Sequence, residues 1–231
     1  MRKFSEELLE EIEEVLETEE SIQPTSENVD EQGIPQYLYD DCRWLGYETP
    51  EIQSKIYGMA VMGTFSGNDS TVLDVGCGRG DFGHFIKTMV NPNIEYTGVD
   101  LNQVAIKVGS EKYASYTDGF RLMKGVWPDE FPTEKGEYDW VFHNTNLTLD
   151  YGVSQDAPVE YLKRIIENSL DVCNRGVVLV LLHRDSGTDN GYVKYSFDDV
   201  ASILQPMGVK FAFDNTDFKN VFKVIIFNEQ L

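Results

Sequence analysis

Between Thr71 and Asp81 the chain reads TVLDVGCGRGD: a short apolar run, an acidic residue, glycines at alternate positions 76, 78 and 80, then the start of a helical pattern. A strand that ends this way and turns straight into a helix makes a shelf free of side chains. Glycine tolerates positive φ there and lets a ligand lie against the backbone. Such a shelf suits a nucleoside, and the spacing narrows the kind. A dinucleotide pyrophosphate wants G-x-G-x-x-G with the helix N-terminus aimed at phosphate. Here Asp81 stands at the third glycine's position, where a carboxylate would repel a pyrophosphate, so a nicotinamide oxidoreductase is disfavoured. A second acidic strand end follows in Tyr96–Leu101, YTGVDL, with Asp100 placed 20 residues past Gly80. A carboxylate is acceptor-only and can take two hydroxyl donors at once.

Together and in this order, D-x-G-x-G-x-G at Asp74–Gly80 and the acidic strand end at Asp100 resemble the first two motifs of class I S-adenosylmethionine-dependent methyltransferases. The resemblance covers roughly Thr49 to Phe227. It implies an α/β Rossmann-like fold: a seven-stranded, mostly parallel sheet with an antiparallel last strand and helices on both faces. It also implies S-adenosyl-L-methionine as cofactor, with Asp74, Gly76, Cys77 and Gly78 at the shelf and Asp100 and Leu101 at the ribose. Lys55 lies where some relatives carry a basic residue for the methionine carboxylate, unless it is a solvated lysine. Gly125-Val126-Trp127 departs from the family, which commonly has an acidic residue right after that glycine for the adenine amino group. The Val126 amide and the face of Trp127 are left to hold the ring, unless Trp127 is core.

Length and charge bound the remaining possibilities. With 231 residues and a net charge of −21, the chain suits one α/β domain with a modest N-terminal extension, and its average surface repels a phosphate backbone. The longest apolar stretch, Gly176–Leu182, is far too short to cross a bilayer, and the N-terminal segment is acidic where a signal peptide needs a basic start followed by an apolar core. A cytoplasmic protein without membrane or nucleic-acid partners is expected. Cys42, Cys77 and Cys173 are an odd number without metal-type spacing, so reduced thiols and no metal site are expected.

Three regions are expected. Residues 1–20 carry Phe4, Leu8, Leu9, Ile12, Val15 and Leu16 on one stripe among glutamates, which reads as an acidic amphipathic helix docked on the domain or, as a homodimer contact, on a second copy. Residues 21–48 read as a linker followed by an aromatic segment, Gln36–Tyr47, that either folds over the cofactor as a lid or packs outside the sheet. Residues 49–231 form the cofactor-binding domain. Its expected helices are Thr49–Thr64, Phe82–Val90, Gln103–Tyr113, Ala157–Val172 and Ser196–Gln205. Its expected strands include Ile94–Asp100, Phe120–Lys124, Tyr138–Phe142, Gly176–Leu182 and a closing hairpin of Val209–Phe213 with Val221–Phe227.

Methyl transfer from a sulfonium is an in-line displacement that gains most from alignment in a dry pocket. The fourth strand ends in His143-Asn144-Thr145-Asn146, beside the sulfonium in this topology. His143 is the candidate general base, because imidazole titrates near neutral pH, or else only packs or bonds the cofactor. The missing Asn/Asp-Pro-Pro-aromatic motif argues against base N-methylation. Tyr37, Tyr39, Asn144 and the rim His183, Arg184 and Asp185 are the candidate substrate-binding residues, the rim alternatively being a solvated loop. The leading expectation is a methyltransferase acting on a small-molecule O or N acceptor. The alternatives are a methyltransferase for nucleic acid or protein and an inactive cofactor-binding protein.

Overall fold

The computed structural model describes residues 42, 47–131, 133–148, 157–185, 192–215 and 220–228. The N-terminal helix of residues 1–20, and with it the expected dimer contact, lies outside the described residues, as do Tyr37 and Tyr39.

Local chemistry sets the element boundaries. Helix α1 (Pro50–Val61) begins where the Thr49 hydroxyl accepts from the Ile52 amide and Pro50 occupies the first turn, a place that needs no N–H. Strand β1 (Thr71–Val75) leads into α2 (Asp81–Phe85), which continues through one π-helical turn, Ile86–Val90. After β2 (Glu95–Asp100), Asn102 caps α3 (Gln103–Lys112) by accepting from the Val104 and Ala105 amides. Strands β3 (Phe120–Lys124) and β4 (Tyr138–Asn144) follow, then α4 (Ala157–Val172) running directly into β5 (Cys173–Leu182). A full capping box between Ser196 and Asp199 starts α5 (Phe197–Met207), and β6 (Lys210–Asp214) and β7 (Val221–Phe227) close the fold.

The seven strands form one sheet in the order β3-β2-β1-β4-β5-β7-β6. β1 to β5 pair in parallel, and β7 runs antiparallel between β5 and β6. Strand order reverses between β1 and β4, and in open α/β sheets ligands bind at that switch point, beyond the carboxyl ends of the strands. The two faces carry separate cores. Leu73, Val141, Val177 and Leu179 pack under α4 and α5, whereas Val72, Phe142, Val178 and Val180 pack with Tyr57, Met59 and Phe82 of α1 and α2. β4 runs two residues further than the apolar pattern indicates, to Asn144, and β5 starts three residues earlier, at Cys173. Backbone pairing with a neighbour on each side, Tyr138↔Cys173 among the pairs, carries both strands past their apolar stretches.

One charge lies inside the second core. Lys223 of β7 is 2% exposed. Its Nζ donates to the carbonyls of Met59 and Met62, each at 2.8 Å, and stands 3.4 Å from Asp214. These carbonyls sit at the C-terminal end of α1, where helices leave acceptors unpaired and the dipole favours a cation.

Candidate active site

Register and alternation bring the site together. Asp74 pairs with Gly98 of β2 on one side and Phe142 of β4 on the other, so the three leave one face of the sheet. Two residues further on, the same face presents Asp100, Gly76 and Asn144 in a row across β2, β1 and β4. This row lies on the α1 side, at the carboxyl edge and the switch point. The strand spacing makes it about 10 Å long, which suits a nucleoside held by its sugar at one end with its 5′ substituent directed to the other.

At the β2 end, Asp100 clamps the shelf. Its Oδ2 accepts from the Gly78 amide at 2.7 Å and its Oδ1 from the Asn102 amide at 2.8 Å. Each carboxylate oxygen keeps further acceptor capacity for hydroxyl donors. Burial raises this carboxyl's pKa, against the pull of the amides of Asn102, Gly78 and Leu101. Gly76 and Gly78 are left-handed, at φ 71° and 54°. A side chain at Gly76 would also run into Asn146, so this glycine lets the loop after β4 close on the shelf.

Asp81 belongs to the scaffold. It accepts from the Arg79 guanidinium at 2.6 Å and the Lys112 ammonium at 3.3 Å, and also from the Tyr113 hydroxyl. Burial pushes its carboxyl up, but Arg79, Tyr113 and Lys112 outweigh that and hold it below the usual value. The pyrophosphate-repelling position is thus a buried ion cluster joining α2 to α3.

Next to the row, Asp74 accepts from the Tyr96 hydroxyl at 2.5 Å on one oxygen, while its buried Oδ1 has no partner. Burial raises its carboxyl to about 7; the Tyr96 bond opposes this and Asp100 adds to it. Nearby lie two tyrosines in edge-to-face contact. Tyr57 of α1 accepts from Gln53 and sits edge-on to Tyr47, whose hydroxyl is 3.5 Å from that of Thr145. Burial pushes the Tyr47 hydroxyl up to about 12, so both rings stay neutral donors.

At the β4 end, Thr145 is held at φ 69°, a conformation uncommon for a β-branched residue and of the kind that collects at functional sites. Its amide donates to the Val180 carbonyl, and its own carbonyl accepts from the Thr148 amide and hydroxyl. The turn leaves Asn144 7% exposed with neither amide atom hydrogen-bonded, and the buried Oδ1 of Asn146 is likewise without a partner.

Four expectations are corrected. His143 cannot act as a base in the cleft. It pairs with Leu179 and Val75 and points to the opposite face, 0% exposed, with Nε2 2.9 Å from Ser169 of α4. Burial drives its pKa to about 3, so it stays neutral. Trp127 is core, buried beside Phe131, and offers no face for stacking. The Val126 amide donates to Glu130 at 3.3 Å. Lys55 is exposed, and Gln53 and Tyr57 take that helix's inner face. On the rim, the His183 ring lies edge-on to Phe197 and Phe222 and its Nδ1 accepts from the Asp185 amide. The exposed Asp185 carboxylate stands 3.7 Å from the His183 ring, while Arg184 is drawn away to Asp199 at 2.6 Å, so the three do not converge on one site. Cys77 lies under the shelf, filling the space left by Gly98, and Leu101 packs on the first core. Gly125 hangs its amide on the Asp100 carbonyl.

Sequence reasoning missed Tyr57, Tyr96, Asn146 and Glu130. Tyr96 alternates with Gly98 and Asp100 on one strand, a signal that was open to reading. The other three depend on how separate elements meet. Among the described residues, no three His, Cys, Asp or Glu side chains gather as a metal site, the three cysteines are free thiols, and no helix is long and apolar enough to cross a membrane.

Comparison with known proteins gives a consistent set. A family model described as a methyltransferase domain matches residues 66–191. The demethylmenaquinone methyltransferase of Staphylococcus aureus is 31% identical over 130 residues, 56% of this chain and 50% of that protein. The chain therefore spans about half the length of the curated relatives it matches. An O-methyltransferase family protein from Burkholderia thailandensis superposes with a TM-score of 0.59 at 13% identity, covering 76% of this chain and 55% of that one. A SAM-dependent methyltransferase from Aquifex aeolicus gives 0.51 at 18%, covering 82% and 94%. At these identities the structural likeness speaks to the fold.

Proposed function

We propose that this chain, which belongs to the class I S-adenosylmethionine-dependent methyltransferase family, binds S-adenosyl-L-methionine on Asp100 and the Gly76–Gly78 shelf, its far end directed toward the β4 terminus, and methylates an oxygen or nitrogen of a small molecule. The observation that carries this reading is the row itself. A carboxylate with acceptor capacity to spare, a left-handed glycine turn and an unsatisfied amide lie in line at the switch point.

The residues present fit the cofactor. Asp100 has acceptor capacity for two ribose hydroxyls. The carboxylate that the family commonly carries right after the β3 glycine is supplied four residues on by Glu130, which already reaches the Val126 amide and can accept from an adenine amino group. The orphaned Asp74 Oδ1 offers an acceptor for a cationic end. When bound, the cofactor would supply a methyl carbon on a sulfonium for in-line transfer to the acceptor's lone pair, the carbon–sulfur pair staying on sulfur and the acceptor's proton being given up to solvent as the products leave. The chain's part is alignment and exclusion of water. Tyr47 and Tyr57 cover the row, and Thr145 fixes the β4 end. With His143 buried and neutral, no imidazole of β4 removes a proton.

A small-molecule acceptor is supported by the net charge of −21, which repels polyanions, and by a relative named for demethylmenaquinone. Calorimetric titration with S-adenosylmethionine, S-adenosylhomocysteine and NAD in parallel tests the cofactor. The first two are expected to bind and NAD is not; binding of NAD alone would overturn the assignment. Incubation with methyl-labelled cofactor and either a metabolite extract or purified tRNA and DNA tests the acceptor. Label confined to nucleic acid would defeat the small-molecule reading.

A further inference from the structure

Asn144 stands out among the polar groups of the sheet. It is 7% exposed, in the ordered end of a central strand, and both its Oδ1 and its Nδ2 are buried without a hydrogen bond. Buried polar side chains are nearly always satisfied, and leaving one unsatisfied is destabilising. Trp140, on the same strand and face, is satisfied, giving its Nε1 to Asp69 at 3.0 Å, and His143 and Asp74 each leave one atom bare but bond through the other, whereas Asn144 bonds through neither. The orphaned amide is confined to the end of β4 that closes on the shelf, where Thr145 is left-handed and Asn146 carries a second unpaired oxygen. Strained backbone and unpaired polar atoms in one turn indicate a place held ready for a ligand.

The ligand's identity follows from position and from the amide. Asn144 is two strands from Asp100, about 10 Å by strand spacing, so a nucleoside whose sugar sits on Asp100 reaches it only with the reacting end. An amide presents one acceptor and one donor joined through a single carbon. Its complement is a neutral group offering a donor beside an acceptor: a hydroxyl or a primary carboxamide. A phosphate or a protonated amine would leave half of it unpaired. We propose that Asn144 is the residue that recognises the methyl acceptor, and that the acceptor is a neutral molecule presenting a phenolic or enolic hydroxyl, or a carboxamide, to this amide. The proposal rests on the cofactor lying on Asp100 and the shelf as described above.

The test uses the full chain with Asn144→Leu and Asn144→Val, which remove both polar atoms. S-adenosylhomocysteine affinity is expected to stay within about threefold, while the melting temperature of the free protein rises by about 2–4 °C as the unpaired group is removed. Methyl-labelled S-adenosylmethionine is then offered with a phenol, a primary carboxamide, an aliphatic amine and a phosphomonoester. The wild type is expected to label the phenol or the carboxamide, and the variants to lose at least about a hundredfold in kcat/KM for it, with Asn144→Asp, which retains an acceptor, falling between. A lower melting temperature in both the leucine and valine variants would make the amide structural and overturn the proposal. So would a tenfold loss of S-adenosylhomocysteine affinity, which would assign the amide to the cofactor. Label on the amine or the phosphomonoester alone, or on none of the four, would overturn the acceptor class. Failure of the cofactor reading is distinct, because there the wild type itself does not bind S-adenosylhomocysteine.

Discussion

The two ends of the row are built on opposite plans. On the β1–β2 side the carboxylates of Asp100 and Asp81 are paired before any ligand arrives, the first by two backbone amides and the second by Arg79, Lys112 and Tyr113, and Asp74 keeps one bare oxygen beside them. On the β4 side Asn144 and Asn146 keep buried atoms unpaired and Thr145 sits in a strained conformation. A site that takes the same donor in every reaction gains from a rigid, finished surface. A site that must admit a particular acceptor gains from groups only that acceptor completes, since an unpaired buried group discriminates strongly against a wrong ligand. On the proposed reading, the first side holds the donor and the second selects the acceptor.

Four measurements sharpen or break this contrast, taken from the largest effect down. Asp81→Ala removes the carboxylate that Arg79, Lys112 and Tyr113 share and is expected to destabilise the fold by about 3–5 kcal/mol in urea unfolding. A loss below about 1 kcal/mol would mean the β1–β2 side is not prebuilt.

The second measurement concerns pH. The Asp74 carboxyl is raised in the folded chain to about 7 from 3.8, so its stabilisation is full below about pH 4 and is lost as pH rises toward 7. His143 is lowered to about 3 from 6.5, so its stabilisation is full above 6.5 and is lost as pH falls toward 3. Between pH 4.5 and 6.5 the two oppose each other at about 1.4 kcal/mol per pH unit each. His143→Gln is expected to gain about 2.5 kcal/mol relative to wild type on acidification across that window. Parallel stability curves would show that His143 is not held neutral in the core.

Third, Asp100→Ala is expected to weaken S-adenosylhomocysteine at least tenfold, about 1.4 kcal/mol, by removing the ribose acceptor and loosening Gly78. Calorimetry giving wild-type affinity in folded protein would remove the sugar from this end of the row. Last, Tyr47→Phe deletes the one hydroxyl contact from the tyrosine cover to Thr145 and is expected to cost less than about 1 kcal/mol. A larger drop in melting temperature would mean the cover, more than the backbone turn, holds the β4 end.

The same contrast accounts for what the sequence discloses. The β1–β2 side is written in contiguous residues: Asp74 to Gly80, then Asp100, each at a strand end marked by apolar alternation. The sheet, its antiparallel closing strand and Ala157–Val172 as a helix were legible for the same reason. The β4 side is a matter of faces. His143 and Asn144 are neighbours in sequence, and chemistry alone favours the histidine. Only the register with β1 shows that His143 turns under α4 while Asn144 turns toward the shelf. Trp127 misled similarly, since an aromatic ring beside a missing carboxylate suggests stacking, whereas the ring is buried beside Phe131 and the carboxylate that reaches the Val126 amide is that of Glu130, four residues on.

Lys223 adds a constraint on the order in which this protein can be assembled. Its ammonium satisfies the last carbonyls of α1 from a position 164 residues downstream of Met59. During synthesis α1 leaves the ribosome early, but the ammonium that ties its last turn to the sheet arrives only when β7 has emerged and taken its place between β5 and β6. Contacts so distant in sequence form late. The helix that presents Gln53 and Tyr57 to the shelf therefore docks among the final events, and a nascent chain stalled before Lys223 would carry the glycine shelf with its roof unanchored.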